Sequence, residues 1–145
     1  MKYILLFISL TMFSCMDLEN MDQSLCVPVV CGEIQNNKAN FALYNDTDID
    51  FDSFYYDIGG YNDSIDFFPL DQYTCWVNAD TLNTSYFVAK GKINNQDYTS
   101  DTLWMQENAR AYTSGTFVLE IYKVESSNKL EFQFEDDYQG ECKDL

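Results

Sequence analysis

Apolar and polar residues alternate along this chain in short runs, and the period is two rather than the 3.6 of a helix. In residues 129–135, Leu130, Phe132 and Phe134 fall on one face while Glu131, Gln133 and Glu135 fall on the other. That pattern predicts a half-buried strand, paired through Ser126-Ser127-Asn128 with a second strand over residues 116–125. Residues 84–93 and 96–99 read as another pair, turned at Asn94-Asn95 into a tight hairpin. Residues 40–44 form a strand closed by Asn45-Asp46-Thr47-Asp48, a cluster with strong turn chemistry. The next run, 49–58, begins with Ile49 and Phe51 on one side and Asp50 and Asp52 on the other. It slips phase at Ser53-Phe54, the mark of a bulge or of two shorter pieces. Shorter strands are predicted over 64–68, 73–78 and 102–106, and residues 107–114 have room for one helical turn but no sustained helical period.

Seven to nine short strands separated by turn residues, with no convincing helix, predict an all-β fold. The expected architecture is an antiparallel two-sheet β-sandwich, immunoglobulin-like or transthyretin-like. Eleven Tyr, eleven Phe and two Trp in 145 residues fit a sheet-rich core. No long internal repeat is visible.

The amino terminus departs from this pattern. Met1-Lys2 precedes an apolar run from Tyr3 to Phe13, followed by Ser14-Cys15. A positive start, an apolar middle and a small residue make a secretory signal, and the run is shorter than the roughly 20 residues a spanning helix needs. Ser14-Cys15, with Met12 where Leu is usual, resembles the lipobox of bacterial lipoproteins. That resemblance implies cleavage before Cys15, acylation of Cys15 and membrane attachment through the lipid. Asp17, Glu19 and Asp22 resemble the acidic export signal that sends some lipoproteins to the outer face of the cell. The expected organisation is a signal peptide over 1–14, an acidic tether over 15–37 and the β-sandwich domain over 38–145, anchored at the outer membrane of a bacterial envelope.

A second resemblance rests on Leu43-Tyr44-Asn45-Asp46-Thr47, Phe51-Asp52-Ser53-Phe54, Cys75-Trp76, the stretch from Lys92 to Tyr98, and Gly115-Thr116-Phe117-Val118-Leu119. These look like a family of small, uncharacterised bacterial lipoproteins. The resemblance implies a surface lipoprotein with a β-sandwich and carries no catalytic set. The chain has Asn95 where that family tends to have Gly, which requires a left-handed backbone that Asn tolerates.

Charge narrows the function classes. A formal net charge of −16 repels phosphate backbones, which excludes nucleic acid as a partner. The chain has no histidine, so the commonest general base and every Ser-His or Cys-His arrangement are missing, and no enzyme activity is expected. With Cys15 acylated, Cys26, Cys31, Cys75 and Cys142 remain, an even number that points to two disulfides in one of three connectivities. Cys26 and Cys31 are near enough in sequence to close a small loop, in which case Cys75 would tie the middle of the chain to Cys142.

Two constellations carry candidate binding chemistry. Asp46, Asp48, Asp50 and Asp52, with Asp57 beyond, have the spacing of a calcium loop, although Phe51 stands where such a loop needs Gly. The same spacing arises from a strand with one acidic, solvent-facing side. No cofactor is expected beyond a Ca2+ at these carboxylates. Tyr55, Tyr56, Tyr61 and Trp76, with Tyr73 nearby, are candidate rings for a glycan surface, or else the packing of an aromatic-rich sheet. Asp63-Ser64-Ile65, Asp80-Thr81-Leu82 and Asp101-Thr102-Leu103 resemble a pattern used for O-glycosylation of exported proteins in some bacteria. The leading expectation is a non-enzymatic, lipid-anchored binding or structural module. The alternatives are a periplasmic inhibitor or immunity-type protein for a cationic partner, and a calcium-dependent glycan binder.

Overall fold

A computed structural model describes residues 25–27, 30–105 and 109–143. The signal segment and Cys15 lie outside the described residues. Among the described residues thirteen strands occur and no helix is present. They are β1 (Leu25–Val27), β2 (Ala39–Asn45), β3 (Ser53–Ile58), β4 (Tyr61–Ile65), β5 (Val77–Ala79), β6 (Leu82–Asn83) and β7 (Tyr86–Ile93). The second half of the chain supplies β8 (Gln96–Ser100), β9 (Leu103–Trp104), β10 (Ala111–Tyr112), β11 (Gly115–Lys123), β12 (Lys129–Asp136) and β13 (Glu141–Lys143).

Nine strands share one sheet in the order β4-β3-β7-β8-β12-β11-β2-β5, with β9 added beside β7. Two small ladders stand apart from it, β1 with β13 and β6 with β10. The expected all-antiparallel pairing is corrected at two places. Over seven residues β2 runs parallel to β11, and β8 meets β12 in a two-residue parallel contact. A parallel pair needs a crossover connection, and the whole stretch between β2 and β11 provides one. The helical turn allowed for in 107–114 is also replaced in part, because Ala111 and Tyr112 pair with Asn83 and Leu82.

The sheet curls back on itself. Along its hydrogen-bonded path β4 and β2 are six strands apart, a distance of roughly 29 Å if the sheet were flat at about 4.8 Å per strand. Yet the Phe41 ring of β2 meets the Tyr61 ring of β4 edge to face, with centroids 5.1 Å apart. Curling encloses one large aromatic core. Phe41, Phe51, Phe54, Phe68, Phe87 and Phe117 are all fully buried within it. Truncating any one of them to Ala would cost about 3–5 kcal/mol.

The outer faces of the curled sheet are treated differently. On the side of β2 and β11, Ala42 and Val118 are covered by Val30, Trp76 and Tyr138, a second cluster behind the main core. Both strands are therefore buried on two sides, which explains why β2 shows almost no polar alternation. Within the stretch expected as a tether, Val30 is buried in this cluster and Cys31 is bonded to Cys75 across 44 residues of sequence. The pairing of Cys26 with Cys31, and with it Cys75 with Cys142, is thereby corrected. Sequence proximity favoured the short loop, but the packing of Val30 and Trp76 brings the backbones of 31 and 75 together, with Cα atoms 4.4 Å apart.

Candidate functional site

The outer face of β3, β4, β7 and β9 has no such cover among the described residues. Residues opposite one another in an antiparallel ladder share a face. Tyr55 stands opposite Lys90, Asp57 opposite Val88, and Tyr86 opposite Trp104. Asn62 and Ser64 extend the same row onto β4. Their neighbours in sequence, Phe54, Tyr56, Ile58, Phe87 and Ala89, all point into the core. Strict alternation thus sorts a polar and aromatic surface from a phenylalanine interior.

Trp104 is the most exposed large apolar side chain on this face, 60% accessible, and its ring lies 5.3 Å from that of Tyr86 at a tilt of 53°. The Tyr86 hydroxyl donates to Asp57 Oδ2 at 3.2 Å. Asp57 Oδ1 in turn accepts the Gly60 N–H at 2.9 Å, closing the β3–β4 turn. Gly59 in that turn has φ +56°, and a Cβ on it would come within 1.9 Å of the Asn83 carbonyl oxygen. The turn therefore packs onto the β6 ladder only with glycine there. Desolvation, followed by the Asp57 hydrogen bond and charge, raises the Tyr86 hydroxyl above its ordinary value. Tyr86 is accordingly a neutral hydroxyl held in a fixed orientation.

Further along the same face, four residues and about 13 Å from Tyr86 on β7, lies a shallow hollow of about 200 Å³, lined by Ser53, Tyr55, Ser64, Lys90, Lys92 and Asp97 among others. The two exposed lysines are notable in a chain of charge −16. The face thus carries flat rings, hydroxyls, carboxylates and ammonium groups in succession along its strands. Such a set suits a polyhydroxylated ligand, which stacks its apolar faces on rings and exchanges hydrogen bonds at its edge.

The ring cluster expected from sequence is divided among three environments. Tyr55 is half-buried on this outer face, Tyr56 is 3% exposed in the core, and Tyr61 packs against Phe41 and Tyr56. Trp76 belongs to the cluster behind β2, beside Tyr138, so it shares no surface with Tyr55. Tyr86 and Trp104 were not anticipated. The period-two row Tyr86, Val88, Lys90, Lys92 was the available signal, since it places polar and aromatic residues on one face of a strand.

The aspartates are likewise dispersed. Asp48 pairs with Lys123 at 3.0 Å, Asp50 Oδ1 accepts the Leu70 N–H at 2.9 Å, and Asp52 Oδ2 accepts the Asn94 N–H at 2.8 Å. Lys123, by hydrogen bond and charge, holds the Asp48 carboxyl below the usual range. Asp46 and Asp48 share one hollow, with Tyr122, Lys123 and Glu125, while Asp50 and Asp52 lie outside it. Among the described residues no group of three or more acidic, His or Cys side chains converges as a metal site. Asp48, Asp50 and Asp52 each tie down a different neighbouring segment instead. The residue that organises this turn is Asn45, fully buried, whose amide donates to the carbonyls of Ile49, Phe68 and Pro69 while its Oδ1 accepts from Thr47.

Ser64, Thr81 and Thr102, the hydroxyl residues of the three Asp-Ser/Thr motifs, are all exposed. Comparison with known proteins matches no family model and no curated protein. Among solved structures the chain is similar to that described as "NMR structure of the protein from Eubacterium rectale", with a TM-score of 0.44 and 8% identity, covering 70% of this chain and 93% of that one.

Proposed function

We propose that this chain is a non-enzymatic, lipid-anchored module of the bacterial cell envelope that binds glycan on the outer face of β3, β4, β7 and β9. The observation that carries the binding reading is the exposed Trp104 ring beside Tyr86, whose hydroxyl is oriented by Asp57. Phe67 is exposed to a similar extent, but Trp104 stands against a second ring with an oriented hydroxyl, a pairing that plain solubility leaves unexplained. The absence of histidine supports a binding rather than a catalytic role. Anchoring rests on the signal layout and on Cys15, with no part taken by calcium. The same reading takes the curled sheet as a two-layer sandwich of the immunoglobulin-like or transthyretin-like kind, supported by the Phe41–Tyr61 contact across the layers.

Co-sedimentation with insoluble envelope polysaccharide tests the binding. Wild-type protein should pellet with the polymer, and Trp104→Ala should lose up to about tenfold in affinity at unchanged melting temperature, the scale of one lost ring contact. Equal retention of the variant would sink the reading. Salt-sensitive capture of a basic protein, indifferent to Trp104, would favour the inhibitor-type alternative instead. Cys15→Ala should move the protein out of the membrane fraction.

A further inference from the structure

The backbone places Cys26 directly opposite Cys142. Strands β1 and β13 form an antiparallel ladder in the register Leu25 to Lys143, Cys26 to Cys142 and Val27 to Glu141. Opposed residues in such a ladder share a face and have Cα atoms about 4.5–5.5 Å apart. Disulfides span Cα separations of about 4.4–6.8 Å. A slip of one residue would put Cys26 opposite Lys143 or Glu141 and destroy the match.

Competing partners are already engaged. Cys31 and Cys75 are bonded to each other. The remaining cysteine, Cys15, does not alter the assignment, because the register selects Cys142 whatever becomes of Cys15. The ladder itself supplies a second argument. A three-residue, two-stranded sheet separate from the main sheet is marginal in water without a further constraint.

We infer that Cys26 and Cys142 form a second disulfide, which staples the stem of the domain to its carboxyl-terminal strand. The bond forms by thiol–disulfide exchange with a disulfide-bearing oxidoreductase, the class of oxidant that the Cys31–Cys75 bond also calls for. One cysteine thiolate attacks the oxidant's disulfide, giving a mixed disulfide and releasing one oxidant thiolate. The second cysteine thiolate then attacks the first cysteine's sulfur, forming the S–S bond and expelling the other oxidant thiolate. Two cysteines are oxidised, the oxidant takes both electrons, and the two protons end on its thiols.

The test uses the full chain isolated from the envelope, with free thiols alkylated at once and the protein digested without reduction. Mass spectrometry should find Cys26 and Cys142 in one cross-linked peptide pair, with both positions refractory to alkylation until reductant is added. Cys26→Ser should expose a thiol at Cys142, and Cys142→Ser one at Cys26, while Cys31 and Cys75 stay protected in both. Alkylation of Cys26 or Cys142 in the unreduced wild type, or linkage of either to another cysteine, would overturn the assignment.

Discussion

The ring of Phe51 lies so close over Gly91 that a Cβ on Gly91 would come within 2.2 Å of it. Gly91 sits opposite Phe54 in the β3–β7 ladder, so the missing side chain is what lets Phe51 reach the core. Gly91→Ala must displace either the ring or the strand. It should lower stability by about 1–3 kcal/mol, the usual cost of overpacking. Urea unfolding would measure it as a lower midpoint at an unchanged slope.

Asn45 predicts a larger effect than any of the four aspartates beside it. Its buried amide satisfies three carbonyls from two segments, whereas Asp46, Asp48, Asp50 and Asp52 stay exposed. Asn45→Ala should cost about 1–3 kcal/mol through unpaired buried groups. Asp50→Asn should change stability by no more than about 0.5 kcal/mol, as surface substitutions do. Thermal melts of the two variants, with and without added calcium, check both points, and calcium should leave the melting temperature of the wild type unchanged.

Cys31–Cys75 restrains the unfolded chain more than the folded one. Closing a loop across 44 residues of sequence contributes about 4 kcal/mol on the chain-entropy model. The Cys31→Ser, Cys75→Ser double variant should lose most of that, read from chemical denaturation under non-reducing conditions.

Stability should fall at both ends of the pH scale for identifiable reasons. Tyr122 is pushed up to about 12, first by its hydrogen bond to Glu120 and then by burial. Tyr56 is raised by burial, with Tyr61 and Asp63 adding to it. Both stay protonated in the fold where the unfolded chain ionises, so the folded state binds more protons and stability drops as pH rises above about 10. Glu120→Gln should bring the Tyr122 titration down toward the ordinary tyrosine value, seen in tyrosinate absorbance. On the acid side, Asp48 and Asp80 are held below 3.8 by Lys123 and Lys38. Their contribution is present above that value and is lost as pH falls through the folded pKa. Lys123→Met should flatten the acid limb of the melting-temperature profile.

Sequence patterning located most strands because each is read by its own alternation. Leu130, Phe132 and Phe134 do turn inward, and Asn94 and Asn95 do take left-handed conformations in the hairpin, at φ +47° and +65°. The phase slip at Ser53 is real, with Asp52 and Ser53 both facing solvent. Alternation carries no information about which strand pairs with which, or in what direction, so the parallel junction of β2 with β11 was hidden. The site was hidden for a related reason. Tyr55 and Trp76 are near in sequence and lie on opposite sides of the molecule, whereas Tyr86 and Trp104 are joined only by the ladder between β7 and β9.

The Cys31–Cys75 bond also decides how the domain bears load. Tension that reaches Cys31 is divided, passing through sulfur to Cys75, ahead of β5, as well as along the chain to β2. Strand β2 is spared from being unzipped one hydrogen bond at a time from β11, because its amino-terminal edge and the β4–β5 connection must move together. The covalent link thus spreads a pull at the chain's entry to the sheet over two neighbouring strands, β2 and β5, instead of one.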